Sequence, residues 1–159
     1  MSAPFHWDPR ALAVVERLEG AGFETALVGG CVRDSLLGRP LHDYDAATAA
    51  LPQQTMAACA PLRCIPTGEQ HGTVTVLSHG LPVEVTTFRR EGSYADHRHP
   101  DQVTFTTSLE EDLARRDFTV NAMAWTPSGL RDLFGGLEDL ERHLVRCVGD
   151  PRRRFEEDA

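Results

Sequence analysis

Apolar residues first recur at near-helical spacing at Leu12, Val15 and Leu18. Asp8-Pro9 precedes them, an acceptor side chain at the N-cap and a proline where a missing N–H costs nothing. Gly20 and Gly22 then stop the predicted helix. Glu24 to Val28 reads as a strand and Cys31 to Leu37 as a short helix, ended by Gly38 with Pro40 beyond. Tyr44 to Ala47 is a second predicted strand, and Pro52 to Ala60 a helix closed by Pro61. Thr73 to Leu77 and Pro82 to Phe88 alternate apolar and polar residues, are rich in Val and Thr, and flank His79-Gly80. That pattern predicts a hairpin.

Arg89 to Gln102 is polar and mixed with Gly and Pro, and is expected to form a mobile loop. Val103 to Thr106 is a candidate strand. Ser108 with Glu111 makes a capping box for a helix through Arg115. The apolar run from Phe118 to Trp125 is read as a buried helix, Leu137 to His143 as a helix after Gly135-Gly136, and Leu144 to Val148 as a last strand. Asp150-Pro151 is again a strong helix start, and the sequence stops about two turns later. Only Phe155 there can reach a core, so the expectation is a helix that should continue past Ala159.

A chain of 159 residues with 41% hydrophobic content fits one domain, or one domain and the start of another. Its longest apolar runs are too short to span a membrane, and its first ten residues lack a signal-peptide layout. A cytoplasmic protein is the expectation. Cys31, Cys59, Cys64 and Cys147 form no C-x-x-C pair and are expected to be reduced and mostly buried. The net charge of −8 argues against a nucleic-acid surface spread over the domain. All sixteen basic residues are arginine, which excludes a Walker-type phosphate loop and a Schiff-base lysine.

Chemistry concentrates between Ala26 and Thr48. An apolar strand runs into Gly29-Gly30, where backbone N–H groups approach an anion without a Cβ in the way. Arg33, one turn later, suits bidentate contact with phosphate. Asp43 and Asp45 are two apart, so in an extended strand both carboxylates point to one face. They repel unless a cation sits between them. A phosphate cradle followed by paired carboxylates is what magnesium-dependent phosphoryl chemistry requires.

Glu84 alternates with Val83 and Val85. It becomes a third carboxylate at the metals if its strand lies beside that of Asp43 and Asp45; otherwise it is a surface glutamate. Arg115-Arg116-Asp117 closes a predicted helix, where cations suit the dipole; the functional alternative puts an arginine on phosphate, with Asp117 and Asn121 on sugar or phosphate. Asn121 is the only asparagine in the chain. His97 and His99, with Asp96 and Asp101, lack the second-shell logic of a zinc site, and Arg152 to Arg154 read as a solvated helix face.

These segments together resemble the head domain of the class II tRNA nucleotidyltransferases, the bacterial CCA-adding enzymes with the related poly(A) polymerases. The resemblance is carried by LVGGCVRDSLLGRPLHDYDAAT, HGTVTV, VEVTTFRREGSYADHRHPDQVTF, SLEEDLARRDFTVNAMA and FGGLEDLERHLVRCVGDPRRRFEEDA. It implies an α+β chain of the polymerase-beta-like nucleotidyltransferase fold, a mixed sheet flanked by helices. Residues 1–149 would form the head and 150–159 the start of a truncated helical neck. It implies Mg²⁺ on Asp43 and Asp45, to which the residue reading adds Glu84 as a candidate catalytic carboxylate. Gly29, Gly30, Arg33, Arg115, Asp117 and Asn121 would bind nucleotide. Asp158 would be half of a base-reading Asp–Arg pair whose Arg falls beyond Ala159. CTP and ATP would be substrates and the tRNA 3′ end the acceptor, with no membrane and no protein partner implied. HGTVTV and the EGSYADHRHPD loop look more like the CCA-adding branch. A poly(A) polymerase head, and a fragment that binds nucleotide without turnover, remain the alternatives.

Overall fold

The computed structural model describes residues 5–41, 43–68, 71–90 and 104–148. The predicted Asp150 helix, the Val103 end of the candidate strand, most of the Arg89–Gln102 loop with its two histidines, and Asp158 lie outside them. Helix α1 (Pro9–Gly20) begins as its cap residues dictate, with the Asp8 carboxylate accepting from the Arg10 N–H at 2.9 Å. Strand β1 (Thr25–Val28) leads into the short helix α2 (Gly30–Leu36), and β2 (Tyr44–Thr48) into α3 (Pro52–Cys59). Then come β3 (Arg63–Gly68), β4 (Thr73–Ser78), β5 (Leu81–Thr87), and a two-stranded ribbon of β6 (Arg89–Arg90) and β7 (Thr104–Phe105). Helix α4 (Leu109–Ala114), a 3₁₀ turn (Thr119–Asn121), β8 (Met123–Thr126), β9 (Gly129–Asp132) and α5 (Gly136–Glu141) complete the described chain.

Among the described residues the main sheet has seven strands in the order β3-β4-β5-β2-β1-β8-β9. Only β2 and β5 pair in parallel; every other neighbouring pair is antiparallel. This is an α+β chain with a mixed sheet. On one face Leu27, Tyr44, Ala46, Val74, Val76, Val83 and Val85 pack with Val14, Val15 and Leu18 of α1. On the other, Ala26, Val28, Ala47 and Ala124 meet Phe88 and Leu109 and Leu113 of α4. Period-two alternation in the strands separates these two cores.

Three expectations are corrected. Phe118 to Trp125 is not a buried helix: it is a 3₁₀ turn followed by β8, whose Trp125 and Ala124 pair with Leu27 and Val28. A short apolar run does not reveal its period, and the open edge of β1 claims it as a strand. Leu144 to Val148 contributes one bridge, Cys147 to Phe118, rather than a strand. Two strands went unread: β3 contains Pro66 and lies exposed at the sheet edge, and β9 is short and polar. All four cysteines are free, but only Cys31 and Cys59 are fully buried; Cys64 and Cys147 are half-buried. Burial pushes the thiols of Cys31 and Cys59 up to about 11, so neither is a ready nucleophile.

The 3₁₀ turn is pinned from below. The Thr119 hydroxyl donates to the Asp139 carboxylate, which also takes the Arg146 guanidinium at 3.0 Å. Both hold the Asp139 carboxyl below the usual aspartate range. Gly136 permits the approach, since a Cβ there would stand 2.2 Å from the Thr119 carbonyl oxygen and 2.9 Å from Met123 Cγ. Gly136→Ala is therefore expected to cost about 1–3 kcal/mol, read as a lower urea midpoint with an unchanged slope.

Candidate active site

Tyr44 explains why the Asp-Tyr-Asp segment sits where it does. Its ring faces the core, 6.3 Å from Trp7 in an edge-on contact, and its hydroxyl accepts from the Asp8 N–H at 3.0 Å. With Tyr44 anchored on that face, Asp43 and Asp45 are turned to the other. The parallel register places Asp45 opposite Glu84 and Tyr44 opposite Val83. Asp43, Asp45 and Glu84 thus line one open cavity of ≈ 390 Å³, with Tyr44 and Pro82. Asp43 and Glu84 are exposed and Asp45 is half-buried.

Burial raises the Asp45 carboxyl above the usual aspartate range, and the neighbouring Glu84 and Asp43 add to the rise, while Arg116 opposes it. Burial is the largest cause; the repulsion from the two neighbouring carboxylates adds to it and is what a bound cation would relieve. Among the described residues no group of three or more His, Cys, Asp or Glu side chains is close enough to cage a metal. Glu84 therefore stands beside the aspartate pair rather than completing a cage with it. Mg²⁺ commonly takes one or two protein carboxylates and fills its octahedron with water and phosphate oxygens. Asp43 and Asp45 are a donor set of that kind.

Positive charge gathers around the double glycine. Gly29 has φ 71°, a conformation that glycine adopts without strain. Two guanidinium groups bracket the turn: Arg33 Nη2 lies 3.4 Å from where a Cβ of Gly30 would be, and Arg116 Nη1 3.7 Å from that of Gly29. Arg33 Nη1 donates to Asn121 Oδ1 at 2.8 Å, joining residues 88 positions apart. Gly29, Gly30, Arg33 and Asn121 are thus brought together. Arg115 lies on the neighbouring rim, lining a ≈ 130 Å³ cavity with Asp45, Arg89, Asp112 and Arg116. Asp117 is exposed in the turn after α4, where its carbonyl accepts from the Val148 N–H at 3.0 Å. Asp158 lies outside the described residues.

The sequence reading left open which of Arg115 and Arg116 faces phosphate, and it missed Asp112. Helix α4 ends at Ala114, so helical periodicity does not say where Arg116 points. The buried carboxylate of Asp112 at i+3 and i+4 from two arginines was the available signal.

Residues 25–146 match the family model described as the poly A polymerase head domain. The chain belongs to that family. It is 52% identical over 157 residues to a CCA-adding enzyme of Limosilactobacillus fermentum, covering 98% of this chain and 38% of that protein. Among solved structures, the Bacillus stearothermophilus CCA-adding enzyme in complex with CTP superposes with a TM-score of 0.84 at 46% identity, over 99% of this chain and 37% of that one. A tRNA nucleotidyltransferase complexed with a primer tRNA and an incoming ATP analog gives 0.69 at 32% identity, over 91% and 43%. The head-domain chain thus spans about two-fifths of the length of the relatives it matches. Its fold is the polymerase-beta-like nucleotidyltransferase fold expected from the motifs.

The electrostatics of Asp45 give a pH test. A carboxyl whose pKa is raised on folding destabilises the folded state once it ionises, so the cost appears as pH rises. In chelator, Asp45→Asn should raise Tm at pH 7–8. That gain should vanish as pH falls below the ordinary aspartate pKa of about 3.9, where wild-type Asp45 is already neutral.

Proposed function

We propose that this head domain binds CTP or ATP with Mg²⁺ and transfers CMP or AMP to the 3′ end of tRNA, as the catalytic head of a CCA-adding nucleotidyltransferase. The observation that carries the reading is the juxtaposition of two oppositely charged sites. Asp43, Asp45 and Glu84 gather negative charge at the β2–β5 junction. Arg33 and Arg116 gather positive charge at the double glycine beside it.

Asp43 and Asp45 hold the metal in this reading; bound there, Mg²⁺ would neutralise developing charge and polarise the oxygens of an in-line displacement. Gly29, Gly30, Arg33, Arg115 and Arg116 bind the triphosphate, and Asn121 holds the Arg33 guanidinium in place. Asp117 supports the ribose or phosphate from the exposed turn. Glu84, in register with Asp45, steadies the approach of the attacking hydroxyl. The 3′-hydroxyl gives up its proton to solvent as its oxygen bonds to the α-phosphorus, the bridging bond to the β-phosphate breaks, and pyrophosphate leaves. The reading places the protein in the cytoplasm, with the tRNA; no helix among the described residues is long and apolar enough to cross a membrane.

A second reading, adenylation of RNA 3′ ends, is favoured by the matched family's description. Incubation with tRNA lacking its last three nucleotides and all four triphosphates separates the two. Products that stop after three additions support CCA addition, and a longer adenylate tail supports the second reading. Calorimetric titration tests the site itself. Wild type should bind CTP and ATP at least about tenfold more tightly with Mg²⁺ than without it. Asp43→Ala and Asp45→Ala should each weaken binding by at least about tenfold, a loss of ~1.4 kcal/mol. Equal affinity with and without Mg²⁺, or in the variants, contradicts the metal assignment.

A further inference from the structure

Asp112 carries a carboxylate whose side chain is 1% exposed, a position that is costly for a charge unless its oxygens are well partnered. It is partnered from two segments. Its oxygens accept from Arg115 Nε at 3.4 Å, from Arg116 Nη2 at 3.2 Å and from the backbone N–H of Arg89 at 2.9 Å. The first two donors lie just beyond the last residue of α4; the third opens β6. One buried carboxylate therefore ties the end of α4 to the strand that follows Phe88.

What it ties down is oriented. Arg116 reaches over Gly29, and Arg89, Arg115 and Arg116 share the small cavity that Asp45 also lines. Two of these guanidinium groups hold a buried Nε with no hydrogen-bond partner, in Arg89 and in Arg116. Burial and the neighbouring Arg115 both work against the charge of Arg89. Long side chains left to themselves would turn outward to water and separate their like charges. Here they are held crowded, part-dry and incompletely satisfied, which is how donors are kept in place for an anionic ligand.

We propose that Asp112 is a positioning residue, whose buried carboxylate holds Arg115, Arg116 and the backbone at Arg89 so that their guanidinium groups meet the phosphates of the incoming nucleotide. The inference rests on the nucleotide-binding reading above. It makes a claim opposite in sign to simple electrostatics. Removing a negative charge beside an anion site should tighten anion binding; if Asp112 acts by positioning, removing it loosens binding.

The test is titration of CTP with Mg²⁺, and of inorganic tripolyphosphate without metal, into wild type, Asp112→Asn and Asp112→Glu, each corrected for the folded fraction from its melt. Asp112→Asn keeps an acceptor for the Arg89 N–H and should weaken both ligands about tenfold. Asp112→Glu keeps the charge but displaces it, and should weaken tripolyphosphate as well; it decides the matter if Asp112→Asn does not fold. Added to Arg116→Ala, Asp112→Asn should cost less than it does in wild type, because one of the three groups it holds is gone. Unchanged or tighter tripolyphosphate binding in a folded Asp112 variant overturns the proposal, as does a lowered Tm with wild-type affinity, and CTP binding by wild type would still stand. A wild type that binds neither ligand refutes the nucleotide reading itself, and this inference with it.

Discussion

Like charges set directly opposite each other on adjacent strands destabilise a sheet, yet the only parallel pairing in this one puts Asp45 opposite Glu84. Asp43 adds a third carboxylate on the same cavity wall. The rest of the architecture supports that placement. Tyr44 locks the segment from the core side through Trp7 and the start of α1, and Val83 and Val85 lock the partner strand. A one-residue slip of β2 would put Tyr44 in the groove and Asp45 in the core, so hydrophobic register and the chemistry of the site are one constraint.

The compensation comes from arginine. Arg116 lowers what Glu84 and Asp43 raise at Asp45, while Arg33 and Arg116 bracket Gly29-Gly30. Positive charge lies on the β1 side of Asp45 and negative charge on the β5 side. A triphosphate–metal complex has the reverse distribution, metal toward the carboxylates and phosphate toward the guanidiniums. The field inside the groove follows these local placements rather than the net charge of −8.

Much of this was legible in the chain. The alternation through PVEVTTF gave β5 and turned Glu84 away from its valines, and Asp8-Pro9, Gly38 and Ser108 marked helix ends that the structure keeps. The resemblance supplied the family and the fold. What stayed hidden was pairing. No local pattern says that Phe118 to Trp125 will complete β1's open edge as β8, or that RCIPTG with its proline will serve as an edge strand. Nor does it say that Arg33 will find Asn121 across 88 residues. The residues alone offered Arg115 or Arg116 for phosphate and the resemblance pointed to Arg115; the structure gives Arg116 the place above Gly29 and both of them the grip of Asp112.

The central claim is the location of metal and phosphate on either side of Asp45. A crystal structure of this chain with CTP and Mn²⁺ in place of Mg²⁺ tests it most directly. The account expects an anomalous peak held by Asp43 and Asp45, with the triphosphate lying from that peak toward Gly30, Arg33 and Arg116. A metal bound away from the two aspartates, or a triphosphate ordered away from Gly30, Arg33 and Arg116, would contradict it.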